Sequence, residues 1–260
     1  MEIWKAAILG IVQGLTEFLP VSSSGHLLLF ERILGADTGG ADLFLGVMLH
    51  AGTLAAVLFV YAPRLVEMLK SDRKMIGFLV LATIPGAVAG LFLGEAVDKL
   101  FFGGKWLWAA FALTAVLLVF CERIARSRKV YRPIGARNAF AIGCAQALAV
   151  IPGLSRSGTT LAAGVFCGMS REDSADFSFL MSIPIIAGAI VAELYKSIKD
   201  VGYAAAVSWQ SLFAGTLCAA VFGFISIRFM LRVVKKNSLS GFAVYLIFLS
   251  AALLIADIIF

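Results

Sequence analysis

Apolar residues run along this chain in blocks too long for the strands and amphipathic helices of a water-soluble fold. Six blocks are close to the roughly 20 residues that carry a helix across a bilayer. They are Leu43–Tyr61, Met75–Gly94, Trp106–Cys121, Phe177–Tyr195, Val207–Ile227 and Gly241–Phe260, and each is predicted to span a membrane. Two further apolar regions, Ile3–Leu34 and Asn138–Met169, are broken near their centres. The first contains Thr16-Glu17 and then Pro20-Val-Ser-Ser-Ser-Gly-His26; the second contains Pro152-Gly-Leu-Ser-Arg-Ser-Gly-Thr-Thr160. Proline removes a backbone donor and disfavours helix in the residue before it, while serine and glycine favour turns and caps. Both regions are therefore read as re-entrant hairpins, in which a helix descends to mid-depth, turns and returns. Irregular backbone at that depth is tolerated only where protein buries it or it lines a wet cavity, so the breaks mark a cavity. The expected fold is an all-α integral membrane protein with six transmembrane helices and two re-entrant helical hairpins.

Composition agrees. Apolar residues make up 61% of the 260 positions and charged ones 15%, with a mean hydropathy of +0.96. An average globular chain carries roughly 45–50% and 25%, so a soluble domain, a disordered chain and a disulfide scaffold are excluded. Cys121, Cys144, Cys167 and Cys218 form no CxxC pair and no Cys/His cluster, which leaves no zinc motif. The net charge of +6 points to no nucleic-acid partner, because the basic residues lie in short gaps between apolar blocks. If each hairpin returns to its own side, fifteen of the 22 Lys and Arg residues fall in one set of gaps: 64–74, 123–137, Arg171 and 228–236. The opposite set is Lys5, Arg32, Lys99, Lys105, Lys196 and Lys199, and Arg156 lies inside the second hairpin. The richer set faces the cytoplasm, which places both termini outside.

An offset of 133 positions superimposes the two broken regions. Gln13 meets Gln146, Ser22 meets Ser155, Ser24 meets Ser157 and Gly25 meets Gly158. Phe44 then falls on Phe177 and Thr83 on Thr216. The chain reads as one membrane domain made of two repeats, 1–128 and 134–260, each a hairpin (3–34, 138–169) followed by three spans. Three spans are odd, so the second repeat is inverted and the two tips are expected to meet near the midplane.

The tips pool Glu17, His26, Arg156, Ser22, Ser23, Ser24, Ser155, Ser157, Thr159 and Thr160. Ionisable groups at mid-depth are costly and by default mark function. Arg156 offers a fixed fork of donors for phosphate oxygens, and serine hydroxyls with helix-start N–H groups make an anion cradle. Glu17 beside a phosphate calls for a divalent cation, Mg²⁺ or Ca²⁺, or a proton. His26 then serves as general acid, base or nucleophile. The plainer alternatives are that the serines cap the returning helix, that Arg156 only neutralises Glu17, and that His50 is a hydrogen-bonded packing residue. Glu193 and Asp257 read as interfacial, and Gly86, Gly90, Gly188 and Gly215 as points of close helix packing.

Gln13-Gly-Leu-Thr-Glu17-Phe-Leu-Pro-Val-Ser-Ser-Ser-Gly-His26 followed by Pro152-Gly-Leu-Ser-Arg-Ser-Gly-Thr-Thr160 closely resembles the bacitracin-resistance type of undecaprenyl-diphosphate phosphatase. The resemblance covers essentially the whole chain. It implies a bacterial inner-membrane hydrolase that removes the terminal phosphate of undecaprenyl diphosphate, returning the carrier lipid to cell-wall synthesis. It also implies divalent-cation dependence and a site open to the periplasm. By that resemblance Glu17 and Gln13 assist metal and phosphate, and Ser22, Ser23 and His26 lie nearest the scissile phosphate. Arg156, Ser155 and Thr160, with Ser24 and Ser157, then bind phosphate. Position 13 is Gln where many members carry Glu, and position 24 is Ser where Thr is also seen. Ser23 attack with His26 as base, attack by His26 and metal-activated water all fit, with a lean toward a hydroxyl because three serines exceed what a cap needs. A second lipid-phosphatase class, resembling KxxxxxxRP, PSGH and SRxxxxxHxxxD, is set aside because Ala162 stands where its second histidine belongs. The rival of another kind is a flippase that carries the polyprenyl phosphate through the same inverted-repeat site. Glycine-rich faces also permit a homodimer.

Overall fold

A computed structural model of the chain describes residues 1–36, 42–101, 106–128, 130–199, 207–236 and 238–259, without the side chains of 42, 43, 95, 98, 193 and 196–199. Lys105, Phe260 and the side chains of Glu193, Lys196 and Lys199 therefore lie outside the described residues. Ten helices and no strand occur among them: α1 (Ile3–Glu17), α2 (Ser23–Leu34), α3 (Asp42–Lys70), α4 (Arg73–Leu100), α5 (Leu107–Ser127), α6 (Ala136–Leu148), α7 (Arg156–Phe166), α8 (Arg171–Lys199), α9 (Trp209–Lys236) and α10 (Ser240–Ile259). Six of them (α3, α4, α5, α8, α9 and α10) are long and apolar enough to cross a membrane. Each coincides with one of the six expected blocks. The basic-side ends run further than the apolar blocks do, α3 to Lys70 and α9 to Lys236. Lys and Arg there extend apolar stems while their charges meet water and complement the negative helix end.

The two broken regions are short helix pairs. In the first pair, Lys5 donates to the Gly35 carbonyl at 3.2 Å, so the start of α1 and the end of α2 lie together. Ser211 at the start of α9 donates to the Met1 carbonyl (3.0 Å), which puts that same end beside the first turn of α9. In the second pair, the Arg132 amide before α6 donates to the Gly168 carbonyl after α7 (2.9 Å). This pair opens at the other end of the molecule. There Glu122 of α5, its side chain 5% exposed, accepts from Arg171 at the head of α8 and from the Leu239 amide just past α9. The 28 residues of α9 span about 42 Å at 1.5 Å per residue, so the pairs open at opposite ends. The basic gaps gather at the Glu122 end.

Association in a membrane gains nothing from expelling lipid tails, so helix packing rests on close backbone approach and dispersion. Two contacts show this. A Cβ on Gly10 would stand 2.2 Å from the Gly215 carbonyl oxygen, joining α1 to α9, and one on Gly143 would stand 2.4 Å from the Ala82 carbonyl oxygen, joining α6 to α4. The 133-residue offset converts one contact into the other. The helices α3 and α8 pack together, as do α5 and α10, so the helix pairing respects the same exchange. Of the four glycines expected at close contacts, Gly86 and Gly215 are there, against Gln146 and Leu49, but Gly90 and Gly188 have nothing within 4 Å of a Cβ position. Apolar composition places a residue on a span without giving the rotation of that span, and Gly90 and Gly188 face away from their neighbours.

Candidate functional site

The helix α1 ends on Glu17, and the chain turns through 18–21 to Ser22, the N-cap of α2. Ser22 holds φ 72°, a left-handed conformation that non-glycine residues adopt rarely. Its hydroxyl accepts from the Gly25 amide at 3.4 Å, which is the capping role expected of one serine. At the second tip Gly153 supplies φ 89° for the turn, and the Ser155 hydroxyl caps α7 by accepting from the Gly158 amide at 3.1 Å. The next pairs match as well, Ser22 with Ser24 (3.3 Å between hydroxyls) and Ser155 with Ser157 (3.2 Å). Ser157 donates to the Leu19 carbonyl at 2.8 Å, so one tip rests on the other.

Between the tips lies a cavity of about 190 Å³. The Glu17 carboxylate, 3% exposed, divides its two oxygens. Oε1 pairs with Nη2 of Arg156. Oε2 accepts from Ser23 Oγ at 2.5 Å and from Gln13 Nε2 at 3.0 Å. The Nη1 group of Arg156 and Gln13 Oε1 are buried with no hydrogen-bond partner among the described residues. Unpaired buried donors and acceptors are expensive, so each calls for a partner that the protein alone does not supply. Cavity residues also include Ser22, Ser23, Ser24, Ser155 and Ser157, with Leu154, Ile185, Ile186 and Ala189 as an apolar wall.

The structure brings Glu17, Arg156 and five of the expected hydroxyls to the cavity; Gln13 is fully buried behind them, bonded to Glu17, and two residues lie elsewhere. His26 does not line the cavity. Its Nδ1 bonds the Ser22 carbonyl at 2.7 Å and its Nε2 meets the Tyr245 hydroxyl at 2.7 Å, with the two rings stacked at 5.7 Å. A carbonyl only accepts, so Nδ1 carries the proton, and in the neutral ring Nε2 accepts from Tyr245. Both nitrogens are occupied, and neither reaches Ser23. Thr160 is 1% exposed, donates to the Arg156 carbonyl (2.8 Å) and bonds Ser178 on α8 at 2.6 Å. It holds α7 in place and presents no hydroxyl to the cavity.

The imidazole that does face Glu17 is His50 of α3, whose Nε2 lies 3.7 Å from Oε2. The packing reading of His50 missed this, although a lone ionisable group in an apolar span already carried the signal. Tyr245 and the wall from α8 gave no such signal, since aromatic and aliphatic residues fill every span. Asp257 is exposed near the end of α10, as an interfacial residue should be.

The profile of the family described as Bacitracin resistance protein BacA matches residues 6–252. The chain belongs to this family. It is 36% identical over 252 residues to an undecaprenyl-diphosphatase of Thermodesulfovibrio yellowstonii, covering 97% of this chain and 96% of the relative. It is 39% identical over 246 residues to undecaprenyl-diphosphatase 4 of Bacillus cereus, covering 94% and 93%. A third relative, the undecaprenyl-diphosphatase of Carboxydothermus hydrogenoformans, is 35% identical over 256 residues, with 98% and 97% covered.

The donor set of this BacA-family chain offers a divalent cation few protein ligands. No group of three or more His, Cys, Asp or Glu side chains that could hold a metal occurs among the described residues. The chain thus supplies a partial shell, the Glu17 carboxylate and the unpaired oxygen of the Gln13 amide bonded to it. A hard cation that takes one carboxylate and fills its remaining positions with phosphate oxygens and water fits that set.

Proposed function

We propose that this chain hydrolyses undecaprenyl diphosphate to undecaprenyl phosphate and inorganic phosphate, in the inner membrane of a bacterium, recycling the carrier lipid of cell-wall synthesis. The names of its relatives support this reading, and one observation carries it: the Arg156 guanidinium, held on Glu17, in a cavity ringed by hydroxyls and two helix starts. That combination fits the oxygens of a terminal phosphate. The apolar wall of Ile185, Ile186 and Ala189 then takes the first isoprene units.

Ser23 is the nucleophile in this mechanism. Its hydroxyl already donates to Glu17 Oε2 at 2.5 Å, so the carboxylate takes the proton as Oγ attacks the terminal phosphorus. The bond to the bridging oxygen breaks, and undecaprenyl phosphate leaves with the electron pair. Water then cleaves the phosphoseryl group: Glu17, protonated in the first step, returns that proton to the departing Ser23 oxygen, takes one from the attacking water and releases it to solvent. Arg156 holds the phosphate oxygens as charge builds on them. Mg²⁺ or Ca²⁺ held by Glu17 and Gln13, when bound, neutralises phosphate charge. The two helix pairs are re-entrant and inverted relative to each other, the basic end faces the cytoplasm, and the cavity opens outward. In support, Ile185 lies at the middle of α8 and Ile186 and Ala189 beyond it, counted from its Arg171 end.

The test is phosphate release from undecaprenyl diphosphate in detergent, where a carrier that only moved lipid would release none. Wild type should release phosphate with Mg²⁺ or Ca²⁺, Glu17→Ala and Ser23→Ala should not, and Arg156→Lys should lose about 100-fold or more because an ammonium has no two-pronged fork. Wild-type protein that releases none, or near-normal turnover in Arg156→Lys, defeats the proposal.

A further inference from the structure

We infer that His50 is a nitrogen ligand of the divalent cation at Glu17, so that the site takes Mn²⁺ in preference to Ca²⁺. The inference rests on the hydrolase reading only for the need of a cation, and it is argued from α3. Nδ1 of His50 bonds the Gly46 carbonyl one turn back, at 2.7 Å. The carbonyl cannot donate, so Nδ1 bears the hydrogen and the neutral ring keeps its lone pair on Nε2. A ring hydrogen fixed on a backbone carbonyl, with the other nitrogen free, is the arrangement of metal-binding histidines.

That free nitrogen lies 3.7 Å from Glu17 Oε2, too far for a hydrogen bond between them. Adjacent ligand atoms about 2.1 Å from one octahedral ion stand about 3.0 Å apart, so an approach of about 0.7 Å, within the reach of side-chain rotation, lets a single ion bridge the two groups. Both groups line the same cavity. The position is also rigid: Thr216 of α9 donates to the Met48 carbonyl (3.1 Å), and a Cβ on Gly52 would meet the Thr216 carbonyl oxygen at 2.3 Å. Arg156 takes the other carboxylate oxygen, so a cation would meet the carboxylate at Oε2, sharing that oxygen with the hydrogen bonds from Ser23 and Gln13. An imidazole shifts preference away from the hardest ions, since Ca²⁺ seeks oxygen throughout while transition metals accept nitrogen.

Mn²⁺ alone, added to the detergent-purified full chain, is the probe, and pulsed electron paramagnetic resonance reads the nuclei bonded to it. The chain has two histidines, so assignment needs two variants. The expected result is a ¹⁴N coupling in wild type that becomes ¹⁵N when only histidine is ¹⁵N-labelled, persists in His26→Gln and disappears in His50→Gln. His50→Gln should also lose about tenfold or more in Mn²⁺ affinity, and less in Mg²⁺ affinity, because glutamine offers an oxygen. Wild type without a histidine-derived nitrogen coupling overturns the inference whatever the variants do, as does a coupling that survives in His50→Gln. No turnover is needed, so a failure here leaves phosphate release in detergent to judge the hydrolase reading by itself.

Discussion

His26 offers the sharpest test of the site, because its bonds to the Ser22 carbonyl and to Tyr245 suit a positioning role as well as the motif suits acid–base chemistry. Its two contacts can be removed separately. In His26→Asn the amide nitrogen takes the place of Nδ1 and still donates to the Ser22 carbonyl; in His26→Gln it takes the place of Nε2 and still reaches Tyr245, leaving that carbonyl without its side-chain donor. The Nδ1 bond is 2.7 Å long and buried, and it holds a residue at φ 72° directly before Ser23. Losing one buried bond costs about 1–3 kcal/mol, and a left-handed non-glycine residue carries a similar strain that then pulls the turn away. At 1.36 kcal/mol per factor of ten, activity should fall about 5- to 150-fold in His26→Gln and His26→Ala. His26→Asn should stay within about fivefold of wild type, with the loss in kcat and KM little changed. The assay is steady-state phosphate release in detergent, with purified variants matched for thermal stability. A general base or nucleophile contributes about 100- to 10,000-fold, and neither amide can replace it. If His26→Asn were as inactive as His26→Ala, or if phosphohistidine were trapped during turnover, the positioning role would be refuted.

Three further outcomes are expected. Gly143→Ala should lower thermal stability in detergent by about 1–3 kcal/mol, since its Cβ would stand 2.4 Å from a backbone oxygen, whereas Gly90→Ala, with nothing within 4 Å, should match wild type or exceed it; equal losses would mean the packing of α6 on α4 is misplaced. Glu122→Ala should cost about 3 kcal/mol, the low end for a broken buried pair because Arg126 and Arg171 keep some water, and should speed cleavage at 130–135 and 238–239 by added protease; protection as in wild type would refute the tie. Gln13→Glu puts a second carboxylate against Glu17 Oε2, so the divalent cation needed for half-maximal phosphate release should fall; an unchanged requirement would remove residue 13 from the cation site.

The architecture was legible in the sequence to the level of elements. Apolar blocks, their proline and serine breaks and the basic gaps are local properties, and each maps onto a helix, a turn or one end of the bundle. The 133-residue offset was legible too, as identities that become matched caps at Ser22 and Ser155. That Glu17, Ser23 and Arg156 would come together was legible because charge and hydroxyl groups inside an apolar region have few other partners.

What the tertiary structure alone decided is which groups share a space. His26 and His50 differ little as letters: one lies in a motif and the other in a plain apolar span. The rotation of α2 turns the first toward Tyr245 on α10, and the register of α3 on α9 turns the second toward Glu17. Thr160 sits beside the site in sequence and is rotated onto Ser178. Gly86 and Gly90 lie one turn apart on α4, and one meets a neighbour while the other meets none. Helix formation is settled by neighbours three and four residues away, which the sequence displays. The phase of a helix about its own axis is settled by contacts with other helices, here 18 to 219 residues distant, and it is that phase which chooses the imidazole for the carboxylate.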